Sequence, residues 1–427
     1  FWHRKTAARS AIWPADATAI ITKFTLNHSM SSSLKTAALP ALAPAQKSSR
    51  IVFLDFVRVF ACFLVMLVHA AENYYGSIDA TDMAGPTAWL CNEHDRLWVS
   101  IYDGFSRMSV PLFMIVSAFL LAPMPEGETM GAFYRRRFTR ILPPMFIFII
   151  LYSTLPMLWG QLTTADSLHD LSRTLLNFPT LAGHLWFMYP LISLYLFIPV
   201  ISPWLRKASA HDERIFIGLF LLSSCMPLAA RWVGEMWGQC NWNEFHALWY
   251  FSGFLGYLVI AHYIAHHLTW SRDRRFRTGL LLTLVGGAVT SWSFWVQAVP
   301  GVSHVTMDLE LAWCFCTLNV VACTVGTFLM FSCISLTKTP AWILELSNLS
   351  FGMYLMHIFW LGLWVRVFKG TLALPSVASI PAIAAATFIS SALATKVCSY
   401  LPGARYIVGY SSLRRTVRTV ARETAAS

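Results

Sequence analysis

The chain has 427 residues, of which 56% are hydrophobic and only 12% are charged, and its formal net charge is +11. Soluble domains carry about 25% charged residues, so this deficit excludes an ordinary soluble enzyme and indicates an integral membrane protein. A basic balance can indicate a nucleic-acid-binding protein, but in a membrane protein basic loop residues more often set the topology.

The chain begins with a segment that has no sustained apolar run. Residues 1–29 lack an initial methionine, and Met30 then opens a stretch rich in Ser, Ala and Pro. We expect residues 1–49 to form a disordered N-terminal tail, and our hypothesis is that translation starts at Met30 and that residues 1–29 are a gene-model artefact. Because the first long apolar run is already long enough to span a membrane, we expect no cleavable signal peptide.

Ten apolar segments follow, each near the roughly 20 residues that a helix needs to cross a bilayer. They cover residues 51–71, 100–122, 141–159, 185–205, 215–230, 246–265, 279–298, 310–336, 349–367 and 376–398. The sequence therefore predicts an all-α polytopic membrane protein with about ten transmembrane helices, contained in a domain of residues 50–402. The segment 215–230 is short, and the segment 310–336 is long enough to be tilted or broken.

The loops between these segments differ in charge. One alternating set, together with both ends of the chain, holds 20 lysines and arginines, whereas the opposite set holds five, which are Arg96, Arg173, Arg231, Arg366 and Lys369. The positive-inside rule then predicts that both termini are cytoplasmic, including a basic tail of residues 403–427. Cys91 and Cys240 fall in the outside loops, where a disulfide and two free thiols are both compatible with the sequence.

The first apolar segment carries four ionisable residues, Asp55, Arg58, His69 and Glu72. Eleven residues advance a helix by about three turns, so Arg58 and His69 share a face and lie roughly 16 Å apart along the axis. Asp55 is expected beside Arg58 and Glu72 beside His69, at i,i+3 spacing. The first pair is either a structural ion pair or a binder of phosphate or carbonyl groups. The second is either a general base with an orienting carboxylate or a histidine at the membrane interface.

Other polar residues lie inside or at the ends of later segments, where each is a functional candidate by default. Arg137 and Arg140 open the third segment on the cytoplasmic side, as partners for an anionic ligand or as ordinary topology anchors. The remaining candidates are Asp103 and Arg107 at i,i+4, Ser117, His184, Trp186, and Tyr354 with His357 at i,i+3.

Three histidines, His262, His266 and His267, lie together near the end of the sixth segment. Because Trp270 and four arginines follow, we interpret them as a marker of the cytoplasmic interface, and a metal site is the alternative that we favour less.

Five motifs in the same order resemble the acyltransferase 3 family of integral membrane O-acyltransferases, over residues 50 to 400. They are Arg58 followed by ten residues and His69, the RxxR element Arg137–Arg140, "VPLFMIVSAFLL", "HLWF" at 184–187, and "SFGMYLMH" at 350–357. Ala118 departs from the family pattern, which has Gly after the serine. Within the family, the single-domain layout looks most like the enterobacterial common antigen O-acetyltransferase type.

The resemblance implies transfer of an acyl group, expected to be acetyl, from cytoplasmic acetyl-CoA to a hydroxyl of a cell-surface polysaccharide or its lipid-linked precursor. Its motifs single out Arg58, His69, Arg137 and Arg140. Together with the helical spacing, which places Glu72 beside His69 and Asp55 beside Arg58, this predicts His69 and Glu72 as catalytic residues and Arg58, Asp55, Arg137 and Arg140 as acyl-CoA-binding residues. Supporting positions are Arg107, Asp103, Ser117, His184, Trp186, Tyr354 and His357.

We expect no bound cofactor, no metal and no nucleic acid, and we expect acyl-CoA, a glycan or lipid-linked oligosaccharide and membrane lipids as partners. The expected location is the bacterial inner membrane. Two alternatives stay open, a flippase or exporter of a lipid-linked glycan and a succinyl transferase, as does the choice between direct transfer and an acyl-histidine intermediate.

Overall fold

The computed structural model describes residues 50–75, 86–88, 93–174, 179–234, 246–300, 303–305 and 311–412, all within the unit Arg50–Ser427. The predicted tail 1–49 and most of the predicted basic tail, residues 413–427, lie outside these residues. Cys91 and Cys240 also lie outside the described residues, so the choice between a disulfide and two free thiols stays open.

The described chain is helical, which confirms the predicted all-α class. Its α-helices are α1 Val52–Glu72, α2 Glu93–Ser106, α3 Ser109–Leu121, α4 Met130–Thr154, α5 Thr164–Arg173, α6 Met188–Leu205, α7 Ala210–Ser223, α8 Met226–Val233, α9 Leu255–His266, α10 Arg272–Gln297, α11 Leu318–Phe331, α12 Ala341–Val365, α13 Ser376–Cys398 and α14 Ala404–Ile407. Short 3₁₀ turns occupy Leu155–Trp159, Gly183–Phe187, His246–Phe251 and Leu311–Trp313, and a π-helical turn Arg366–Thr371 extends α12.

Two three-residue strands, β1 Pro86–Ala88 and β2 Ser303–Val305, add a feature that the sequence analysis did not predict. They pair antiparallel, with Pro86 opposite Val305. This small ladder joins the chain after α1 to the chain after α10 and leaves the helical class unchanged.

Ten stretches of the described chain are helical, long and apolar enough to cross a membrane, in agreement with the predicted number. They are Val52–Glu72, Glu93–Leu121, Met130–Leu158, Gly183–Leu205, Ala210–Ala230, Ala247–His266, Arg272–Gln297, Leu311–Phe331, Ala341–Thr371 and Ser376–Cys398.

Several spans differ from the predicted segments; the third, for example, begins at Met130 rather than near residue 141, and three others differ in ways that the local structure explains. The second begins at Glu93 rather than near residue 100, because its charged side chains Arg96 and Asp103 are buried inside the bundle and need not face lipid. The fifth is divided between α7 and α8, where Pro227 sits at the start of α8, a position that tolerates its missing N–H. The eighth is shorter than residues 310–336, since α11 begins at Leu318 and ends at Phe331.

Helix α1 lies at the centre of the bundle and packs against α2, α3, α12 and α13. Its side chains Val57, Ala61 and Met66 are fully buried. The four ionisable residues of α1, Asp55, Arg58, His69 and Glu72, therefore belong to a helix that other helices surround.

Helices α10 and α11 pack closely because glycines face each other across their interface. A Cβ atom on Gly279 would lie 2.6 Å from the carbonyl oxygen of Gly326, and one on Gly326 would lie 2.5 Å from the carbonyl oxygen of Gly279. Both distances are too short for any side chain, so this backbone contact requires glycine at both positions.

Candidate active site

Three of the predicted arginines line one cavity of about 330 Å³. Arg58 comes from α1, whereas Arg137 and Arg140 come from α4, and the cavity wall also includes Ser117 of α3 and Tyr354 of α12. Residues that the sequence analysis did not single out as site residues complete it, among them Tyr195, Ser347, Asn348 and Ser350. The tertiary structure thus brings the first-helix arginine and the RxxR element to the same polar cavity.

Arg137 is held in place by an aromatic ring rather than by an acid. Its guanidinium carbon lies 5.6 Å from the centre of the Phe133 ring, and its buried Nε has no hydrogen-bond partner among the described residues. The neighbouring Arg136 instead donates to Glu128 at 2.7 Å and does not belong to the cavity wall. Arg137 therefore lines the cavity without an ion-pair partner among the described residues.

The predicted pairing of Asp55 with Arg58 is wrong. The Asp55 carboxylate accepts two hydrogen bonds from Arg50, at 2.7 and 2.6 Å, and one each from Thr339 and Ser347, at 2.9 and 2.7 Å. Because these donors approach both of its oxygens, Asp55 connects the start of α1 to α12 and its preceding loop. Arg58 faces the cavity.

His69 and Glu72 form the predicted pair at the opposite end of α1. His69 Nδ1 lies 2.7 Å from Glu72 Oε2, and their side chains are 18% and 35% exposed. A carboxylate can only accept hydrogen bonds, so this geometry assigns the proton of the imidazole to Nδ1 and leaves Nε2 as a proton acceptor.

Two further histidines gather around His69. The His357 ring centre of α12 lies 5.1 Å from that of His69, and the His184 ring centre lies 5.2 Å from that of His357. His357 Nδ1 lies 2.6 Å from the backbone oxygen of Tyr354, which assigns its proton to Nδ1 as well. The Nε2 atoms of His184 and His357 are buried without a hydrogen-bond partner among the described residues. The cluster therefore presents unsatisfied polar nitrogens beside the predicted base.

Tyr354 links the cavity to the histidines. It lines the cavity, its ring stacks on His357 with the centres 5.9 Å apart, and its hydroxyl donates to the backbone oxygen of His184 at 2.8 Å. The i,i+3 spacing of Tyr354 and His357 places both on one face of α12. One helix face therefore reaches from the arginine-lined cavity to the neighbourhood of His69.

The predicted pair Asp103 and Arg107 is present and buried in α2 and the turn that follows it. Arg107 Nε lies 2.8 Å from Asp103 Oδ1, and Arg107 Nη2 donates to the Tyr75 hydroxyl at 2.9 Å. The Arg107 guanidinium also lies over the Trp313 ring, 4.3 Å from its centre. Tyr75 and Trp313 carry no sequence signal for this contact, since each comes from a distant segment.

Of the other predicted supporting residues, Ser117 lines the cavity whereas Trp186 does not. Trp186 stacks on Phe315 with ring centres 5.0 Å apart. This stacking packs one side of the 3₁₀ turn Gly183–Phe187, which contains His184.

Asp170 of α5 anchors the chain that leads into that turn. Its carboxylate accepts hydrogen bonds from Ser153 at 2.6 Å and from the backbone and hydroxyl of Thr180 at 2.8 and 2.9 Å. Burial alone raises the pKa of Asp170, but the hydrogen bonds from Ser153, Thr180 and Leu181 outweigh it and hold the pKa below its ordinary value. Asp170 thereby helps to fix the position of His184.

Comparisons with known proteins agree with the motifs. The sequence profile of the acyltransferase 3 family, described as an acyltransferase domain, matches residues 51–396. The chain is also similar to a Caenorhabditis elegans protein named "Regulator of hypoxia-inducible factor 1", with 26% identity over 223 residues, which are 47% of this chain and 43% of that protein. The chain thus spans less than half of this relative's length, and no solved structure matches it. Because the family profile covers most of the chain and all ten membrane spans begin and end within or close to it, the protein belongs to the acyltransferase 3 family.

Proposed function

We propose that the protein transfers an acyl group, expected to be acetyl, from acyl-CoA to a hydroxyl group of a cell-surface polysaccharide or its lipid-linked precursor. The observation that carries the proposal is the continuity of the site. The cavity lined by Arg58, Arg137 and Arg140 shares Tyr354 with the histidine cluster around His69.

The donor assignment rests on charge and position. Coenzyme A carries several phosphate charges, and the planar, always charged guanidinium group is well suited to bind phosphate oxygens in pairs. Arg137 and Arg140 lie on the side that the loop charges assign to the cytoplasm, where acyl-CoA is available. Arg58 lies deeper along α1 and would contact the pantetheine arm or the thioester carbonyl.

The chemistry follows from the His69 geometry. With Nδ1 hydrogen-bonded to Glu72, Nε2 of His69 takes the proton of the acceptor hydroxyl while the hydroxyl oxygen attacks the thioester carbonyl carbon. A carbon–oxygen bond forms, the carbon–sulfur bond breaks, and the departing CoA thiolate takes up the proton from the imidazolium. Glu72 stabilises the imidazolium in between. In the alternative route, Nε2 attacks the thioester carbonyl carbon and expels the CoA thiolate. The acyl group then passes to the hydroxyl oxygen, and the hydroxyl proton goes to the freed imidazole and from there to the thiolate.

The proposal also includes the chemical class of the acceptor and the membrane in which the protein resides. The resemblance of the motifs to the acyltransferase 3 family supports a glycan acceptor, and a bacterial inner membrane is the location that we propose with it. The C. elegans relative extends the similarity to an animal protein, and its name identifies no acceptor. Fractionation of the native host, together with mass analysis of its surface glycans with and without the gene, tests both parts.

A carrier of lipid-linked glycans is the competing function from another class. Buried charges such as Asp103 and Arg107 also suit a transport path. Transport of a glycan does not require the His69–Glu72 pair, nor the unsatisfied nitrogens of His184 and His357 beside it, whereas acyl transfer requires a base. We therefore favour group transfer.

The test uses purified protein in nanodiscs, incubated with acetyl-CoA or succinyl-CoA and a panel of lipid-linked glycans. Release of free CoA and the mass of the glycan are followed together, so donor and acceptor are identified in one experiment. Wild-type protein should release CoA in proportion to the acyl groups found on the glycan.

The decisive variant is His69→Gln, which should lower the transfer rate by about 10²–10⁴-fold, the usual contribution of a general base. His169→Gln is the matched control, because His169 is an exposed histidine of α5 outside the cluster. Normal transfer by His69→Gln excludes His69 as the base. Movement of a labelled glycolipid across the vesicle membrane, without release of CoA, supports the carrier function instead.

A further inference from the structure

A second cluster of titratable residues lies apart from the acyl-transfer site, where α7 begins and α9 ends. Glu213 Oε1 lies 2.6 Å from His262 Nδ1 and 3.2 Å from His267 Nε2. The side chains of Glu213, His262 and His267 are 0%, 5% and 22% exposed. One ligand atom from each residue lies within 4.8 Å of the other two.

The local backbone explains why His262 and His267 share one partner. Residues five apart on an α-helix point in directions about 140° apart, so both could not reach Glu213 from a continuous helix. Helix α9 ends at His266, and His267 leaves the helical conformation with φ −120° and ψ −15°. This change turns His267 back toward the carboxylate, whereas His266, between them, is exposed.

The second oxygen of Glu213 points to a missing partner. Glu213 Oε2 is buried without a hydrogen-bond partner among the described residues. A buried carboxylate oxygen that lacks a donor is costly unless a cation neutralises it. A positive ion held between Oε1 and the two histidine nitrogens would neutralise the whole carboxylate and so lower the cost of burying Oε2 without a donor.

The donor set favours one class of ion. Two imidazoles and a carboxylate are ligands of Zn²⁺, and oxygen-only cages are what Ca²⁺ and Mg²⁺ prefer. Tetrahedral bonds of about 2.0–2.2 Å place neighbouring ligand atoms roughly 3.4 Å apart. The Glu213–His267 separation of 3.2 Å is close to that value, and the Glu213–His262 separation of 2.6 Å needs to widen by less than about 1 Å.

We propose that Glu213, His262 and His267 bind a zinc ion that clips the cytoplasmic end of α7 to that of α9. The proposal reverses the preference drawn from the sequence alone, in which His262, His266 and His267 marked the membrane interface. It is independent of acyl transfer, because none of the three residues lines the arginine cavity.

The experiment uses the full-length protein in detergent, stripped of metal with a chelator and then titrated with Zn²⁺. Wild-type protein should bind about one zinc per chain, and its melting temperature should rise on zinc addition. Titration with Co²⁺ should produce the visible absorption of a low-symmetry site containing nitrogen and oxygen ligands.

Glu213→Gln and His267→Gln should each weaken zinc binding by more than about 100-fold, the upper end of what loss of a second-shell partner costs. His211→Ala is the matched control, since His211 is an exposed histidine of the same first turn of α7 and should leave zinc binding unchanged. His267 is partly exposed, so its variant should fold even if the Glu213 variant does not. Absence of zinc binding by wild-type protein, or wild-type affinity in His267→Gln, overturns the proposal and leaves a hydrogen-bonded cluster.

Discussion

Asp55 gives the sharpest test of how the structure revises the sequence interpretation. Its spacing from Arg58 predicts it among the acyl-CoA-binding residues, whereas its observed contacts make it a tether between α1 and α12. The two roles predict different defects in Asp55→Ala and Asp55→Asn. A tether loses stability, and a substrate-binding residue loses affinity for the donor.

The magnitude follows from its four hydrogen bonds. The bonds from Ser347 and Thr339 reach a carboxylate that is 2% exposed, and hydrogen bonds to a charged group contribute about 1.5–3 kcal/mol each. The Arg50 side chain is 47% exposed, so solvent screening limits that ion pair to about 1 kcal/mol. Together these contributions predict that Asp55→Ala lowers the free energy of unfolding by about 4–7 kcal/mol. Asp55→Asn keeps one acceptor oxygen, so it should lower the free energy of unfolding by about half as much.

The assay combines unfolding in mixed detergent micelles with steady-state kinetics of acyl transfer at a temperature where the variants remain folded. The expected result is a clear loss of stability with little change in the KM for acyl-CoA. Unchanged stability in Asp55→Asn together with a large increase in that KM would refute the reasoning and restore Asp55 to the donor site.

Three further predictions concern other parts of the molecule. Arg140→Ala should raise the KM for acyl-CoA by about 10–100-fold, as expected for loss of a charge-assisted hydrogen bond, while Arg135→Ala, exposed on the same helix and outside the cavity wall, should not. Gly326→Leu should lower the melting temperature, because its Cβ meets a facing carbonyl oxygen and overpacking lowers the free energy of unfolding by about 1–3 kcal/mol. Gly362→Leu is the control and should be neutral, since the space around Gly362 is open; equal effects of the two variants would contradict the packing account. The pKa of Asp170 is lowered in the folded state, so its contribution to stability is complete above the ordinary carboxyl pKa and is lost as the pH falls through the lowered value. Thermal unfolding across acidic pH should show this loss in wild-type protein, and Asp170→Asn should flatten that part of the profile.

Much of the membrane architecture could be predicted because its signals are local. Apolar runs of spanning length form helices, because the bilayer core has no water and the backbone groups must bond to one another. The ten predicted runs correspond to ten spans among the described residues. The His69–Glu72 pair was equally local, because i,i+3 spacing within a helix fixes the separation of the two side chains.

The partner of Asp55 could not be predicted in the same way. Arg50 lies before the helix, and Ile51, with φ −86° and ψ 106°, sets the direction in which the chain enters it. Helical periodicity says nothing about a residue outside the helix. The same limit applies to His267, which reaches Glu213 only because α9 ends one residue earlier.

The sequence by itself determined the class of protein, the number of spans and the polar face of α1, because hydropathy and helical period act over a few neighbouring residues. Only the tertiary structure decided which polar groups meet. Arg58 joins Arg137 and Arg140 because α1 and α4 both border one cavity, and His69 joins His357 because α1 packs on α12. These meetings depend on how distant helices dock, and docking is governed by the whole set of side chains at each interface rather than by the spacing within one segment.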